Sequence, residues 1–89
     1  MRAVVTVVGK DMVGILAGVS GLCAERDINV VEVSQTVLQD MFCMIMLVDF
    51  EKSKTPFTDF NSVLNGYASS KGLQIHAMRE DVFNSMHRV

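Results

Sequence analysis

An α+β sandwich in the order βαββαβ is the fold class that this sequence predicts, and three observations predict it. Four short segments are rich in β-branched or alternating apolar residues, two segments between them carry apolar residues at helical spacing, and turn-forming residues separate them. At 89 residues the chain has room for one domain, spanning 1–89, and with 49% apolar and 20% charged residues it has the burial drive to fold.

The first strand is expected over residues 2–8, where valines dominate and Lys10 and Asp11 end the run. A helix over 13–26 follows, with Ile15, Leu16, Val19, Leu22 and Cys23 on one face and Asp11 placed to cap it. Residues 29–38 and 41–50 read as strands joined by a tight Gln39-Asp40 turn. Thr55 and Pro56 have the chemistry of a helix N-cap and first turn. Phe57, Phe60, Leu64 and Tyr67 recur at helical spacing behind them, and Gly72 sits where a C-terminal cap belongs. The alternation of Leu73, Ile75 and Ala77 with Gln74 and His76 gives a fourth strand over 73–78. Right-handed crossovers then place the first and third strands at the centre of one antiparallel sheet with two helices on one face, a ferredoxin-like sandwich. Beyond it, Val82, Phe83, Met86 and Val89 predict a short amphipathic helical tail, closed by His87 and Arg88, which needs a surface to dock on.

The third strand is apolar on both faces: Met41, Cys43, Ile45 and Leu47 alternate with Phe42, Met44, Met46 and Val48. Two helices cover one face only. A partner subunit on the other is the expectation, so a homodimer is predicted; shielding by long side chains of neighbouring strands is the alternative.

Several classes of function are excluded or disfavoured. The longest apolar run, 41–48, is eight residues, far below the ~20 needed to cross a bilayer, so no membrane association is expected. The N-terminal apolar stretch meets Lys10 and Asp11 too early for a secretory signal, and the two cysteines, Cys23 and Cys43, lack C-x-x-C spacing; together these point to a reducing cytoplasm. A net charge of −2 with scattered basic residues offers no stripe for nucleic acid. No histidine or cysteine pair stands at metal-ligand spacing, no acidic pair is placed for acid–base work, and no cofactor is implied, so neither catalytic nor metal residues are assigned. A small acylphosphatase-like hydrolase using Lys10 and Asn29 is the weakest reading, because the loop after the first strand holds no arginine.

That loop is the most informative segment. Gly9 to Ile15 leads from a strand into a helix start, where backbone N–H groups and the helix dipole favour a carboxylate, and Gly14 lets a ligand approach closely. Asn29, opening the second strand, offers both a donor and an acceptor. The bland alternative is that Gly14 eases packing and Asn29 ends a turn. Gly14, Gly18 and Gly21 also share a helical stripe, where close approach of another backbone or a loosely constrained surface would account for them.

V-G-K-D-M-V-G-I-L-A-G-V-S followed by D-I-N-V-V-E-V-S-Q-T resembles the ACT domain, a small regulatory module, over essentially the whole chain. The likeness is to stand-alone ACT proteins related to the modules of glycine cleavage regulators. It implies a non-enzymatic regulatory domain that binds an amino acid or related small molecule at a homodimer interface, with a separate regulated protein as a further partner. The family's site glycine and asparagine map onto Gly14 and Asn29, with Asp11, Met12 and Val13 in the same loop as candidate ligand-binding residues. Some ACT domains serve only as dimerisation units, and a ligand-free assembly module is the alternative.

Overall fold

The computed structural model describes residues 1–10 and 13–86. Its elements are β1 (Arg2–Gly9), α1 (Ile15–Ala24), β2 (Asn29–Leu38), β3 (Met41–Asp49), α2 (Phe57–Lys71), β4 (Gln74–Arg79) and α3 (Glu80–Met86). The strands form one sheet in the order β2-β3-β1-β4, every pairing antiparallel. This is the expected ferredoxin-like sandwich.

Alternation along the central strands defines two faces. Ala3, Val5 and Val7 of β1 and Phe42, Met44, Met46 and Val48 of β3 are buried beneath the helices. Against them pack Ile15, Val19 and Cys23 of α1 and Phe60, Leu64 and Ala68 of α2, each set repeating every four residues as one helical face requires. Phe50 closes the core where β3 ends, edge-on to Phe60 at 5.5 Å and to Phe57 at 6.1 Å between ring centroids.

Two element starts differ from expectation for backbone reasons. Gly14 lies outside α1, in the left-handed region at φ 76°, so the helix begins at Ile15, not 13. It is Pro56, with ψ 150°, that stands at the N-cap of α2, one residue after Thr55; its extended conformation keeps it out of the helix. Gly72 caps α2 as expected, at φ 67°. The Gln39-Asp40 turn joins β2 to β3, with Gln39 itself left-handed at φ 57°.

On the other sheet face lies α3, the predicted tail helix. It packs against β1 and β4, with Phe83 beside Val4 and Leu47. The tail residues His87, Arg88 and Val89 lie outside the described residues. Glu80 is held by a bidentate pair to Arg2, Nε to Oε1 at 2.9 Å and Nη2 to Oε2 at 2.7 Å.

β2 departs from an ordinary edge strand. Val30 is its one residue that is not exposed, because the helix layer stops short of it. A bulge between Val30 and Glu32 shifts its register against β3, so Glu32, Ser34, Thr36 and Leu38 share the α3 face.

Candidate functional site at the two ends of the sheet

Gly14 sits where β1 has ended and α1 begins. It lines a hollow of about 120 Å³ together with Val13, Tyr67 and Lys71, the last two contributed by α2. A second hollow of about 330 Å³ adjoins it, sharing Lys71 and Leu73 and adding Lys10, Gly9 and Met41. Two lysines, a phenol and the start of α1 therefore converge on one end of the sheet. That collection suits a carboxylate.

No described residue outside its chain neighbours comes within 4 Å of the position a Gly14 Cβ would take. The glycine is demanded there by its positive φ. Asp11 and Met12, the other loop candidates, lie outside the described residues. Val13 lines the hollow.

Asn29 stands at the opposite end. It pairs with Asp49, which pairs in turn with Arg2, whereas the Gly14 end is marked by the pairing of Gly9 with Phe42. Around Asn29 a hollow of about 350 Å³ is lined by Asp27, Asp49, Glu51 and Lys52. Asp49 Oδ1 accepts the Glu51 N–H at 2.9 Å, and Asp27 is held left-handed at φ 56°. Within one chain, then, the structure brings Val13 and Gly14 together and keeps Asn29 a sheet's length away. Lys10 and Asn29, the pair a hydrolase would need, are separated in the same way.

Sequence reasoning missed Tyr67 and Lys71. Tyr67 was legible only as an apolar-face residue of α2, and nothing in the spacing says that the C-terminal turns of α2 meet the start of α1. Burial disfavours Cys23 as a nucleophile. Cys23 is fully buried, and that burial pushes its thiol up to about 11, with Arg26 pulling weakly the other way. Cys43 is half-buried on the α3 face of β3. Among the described residues no group of three or more acidic, histidine or cysteine side chains is arranged to hold a metal ion, and no helix is long and apolar enough to cross a membrane.

The family model of the ACT domain matches residues 2–78. The chain belongs to the ACT domain family. A UPF0237 protein of Clostridium perfringens is 43% identical over 89 residues, the whole of both chains. Among solved structures, an ACT domain protein from Streptococcus pneumoniae superposes with a TM-score of 0.82 at 37% identity, over 93% of each chain. A putative glycine cleavage system transcriptional repressor shares the fold, with a TM-score of 0.74 at 24% identity; the match covers 88% of this ACT domain and 44% of that chain.

Proposed function

We propose that this ACT domain is a cytoplasmic, non-enzymatic regulatory module that binds an amino acid or a related small zwitterion where two copies meet. One observation carries the reading: Gly14 and Asn29 stand at opposite ends of the sheet, and a twofold axis reverses ends. Antiparallel pairing of β2 with β2 of a second copy, about an axis normal to the sheet, moves Asn29 of the partner subunit towards the Gly14 end. The free edge of β2 and the exposure of Val31, Val33 and Val37, at 41%, 38% and 55%, make it the strand open to such pairing. The lysine-rich end then faces a ligand carboxylate, and the acidic end supplied by the other copy faces its ammonium group. A separate regulated protein receives the signal.

Complementation tests this arrangement. Gly14→Asn, which tolerates the left-handed backbone while adding a side chain, and Asn29→Ala should each abolish amino-acid binding measured by calorimetry. Mixing the two variants and letting subunits exchange regenerates one intact site per mixed dimer, so about a quarter of the wild-type binding capacity returns. Separate variants that lose binding with no recovery on mixing would place both residues in one chain's site. If no amino acid raises the melting temperature of the wild type, the ligand-free assembly reading replaces this one.

A further inference from the structure

Lys71 lines both hollows at the Gly14 end of the sheet, and Lys10 lines the larger of them. Among the described residues around the two hollows these are the only charged side chains. Neither has a counterion there: the ion pairs among the described residues are made by the amino terminus, Arg2, Arg26 and Arg79. The backbone fixes both positions. Lys10 follows Gly9, the last residue of β1, and Lys71 is the last residue of α2, just before the left-handed Gly72. Leu73 is the wall that the hollows share, and it lies so close on Gly9 that a Cβ at Gly9 would collide with it. The dipole of α2 favours a cation in its last turn and so accounts for Lys71. No helix dipole accounts for Lys10, which lies on the N-terminal side of α1, where an anion is favoured.

The two hollows offer different chemistry. The smaller, about 120 Å³, combines the start of α1 at Gly14 and Ile15 with the Tyr67 phenol and Lys71. The larger, about 330 Å³, combines Lys10, Lys71 and the Gln74 amide with apolar Val8 and Met41. An α-carboxylate in the smaller hollow neutralises one lysine. An uncharged side chain in the larger one would leave the second lysine without an anion, and an apolar one would lie against two ammonium groups and an amide. We propose that the ligand is an acidic amino acid, whose side-chain carboxylate enters the larger hollow. Its methylene stem meets Val8 and Met41, and its head accepts charge-assisted hydrogen bonds from Lys10 and Lys71 and an N–H from Gln74. Lys10, which lines the larger hollow alone, is then the residue that sets specificity. This assignment rests on the reading that an amino acid binds at this end of the sheet.

Calorimetry of the full chain with glutamate and aspartate, each against its own amide, tests it, because acid and amide differ by one charge at nearly constant shape. At least one acid should bind about tenfold or more tighter than its amide, the worth of one charge-assisted hydrogen bond, and the preference should shrink in about 0.5 M salt. Lys10→Gln should cut the acid-over-amide ratio at least about threefold and leave the affinity for the amide nearly unchanged. A merely structural role would weaken both ligands alike and keep the ratio. Both lysines are exposed, so the variant should keep the circular dichroism and melting temperature of the wild type. Amides or apolar amino acids that bind as tightly as the acids overturn the acidic side chain while amino-acid binding stands. An unchanged ratio in Lys10→Gln overturns the role of Lys10. Binding of no amino acid at all overturns the underlying reading and this assignment with it.

Discussion

The phenol of Tyr67 stands where a side chain on Gly18 would have to stand. A Cβ placed on Gly18 collides with the Tyr67 hydroxyl and comes within 2.7 Å of Cζ, so α1 carries glycine there to let α2 approach. The reason for the glycine is thus a neighbouring side chain, not a second backbone. Gly18→Ala should destabilise the domain by about 1–2 kcal/mol, overpacking outweighing the gain of at most ~1 kcal/mol in helix propensity. Adding Tyr67→Ala should remove most of the Gly18→Ala penalty in a double-mutant cycle read by urea denaturation.

Gly21, on the same helix, has no described residue outside its own helix within 4 Å of its missing Cβ. Gly21→Ala should therefore stabilise by up to about 1 kcal/mol in the same measurement. Opposite signs from two glycines three residues apart separate packing from propensity.

Cys23 makes the stability depend on alkaline pH. Its folded thiol is raised from 9.0 to about 11 by burial, so the folded state binds the proton more tightly than the unfolded chain does. The contribution is fully present below pH 9 and is lost as pH rises towards 11, amounting to roughly 2–3 kcal/mol. Comparing melting temperatures of wild type and Cys23→Ala from pH 8 to 11 isolates it: the wild type should fall more steeply, and the two curves should converge. Equal slopes would mean that Cys23 does not titrate differently on folding.

The Arg2–Glu80 pair ties the start of β1 to the start of α3, with side chains 45% and 26% exposed. Exposed pairs are worth ~1 kcal/mol at most, so Arg2→Ala should barely move the melting temperature. Its effect is local. Hydrogen exchange in α3 should accelerate severalfold in Arg2→Ala, and in the wild type at 1 M salt, while exchange in β1 and β3 stays unchanged.

Much of the fold was legible because the local chemistry and the tertiary structure agree. The bounds of β2, the Gln39-Asp40 turn and the Gly72 cap follow from residue types whose conformational preference is strong on its own. The two-sided apolar character of β3 was legible as well, but not its cause, for no pattern along β3 says that α3 packs mainly on β1 and β4 and reaches β3 at Leu47. The site was less legible. Gly14 and Asn29 look like neighbours because α1 alone separates them in sequence, yet a strand–helix–strand unit returns the chain to the end from which it started. Gly14 belongs to one end of the sheet and Asn29 to the other.

That separation has a consequence for dilution. If each binding site is completed by a second chain, an isolated copy has two incomplete halves and no whole site. Fractional occupancy at low abundance then rises in proportion to the domain's own concentration until dimers saturate. A module built this way reports the product of two quantities, how much ligand there is and how much of itself.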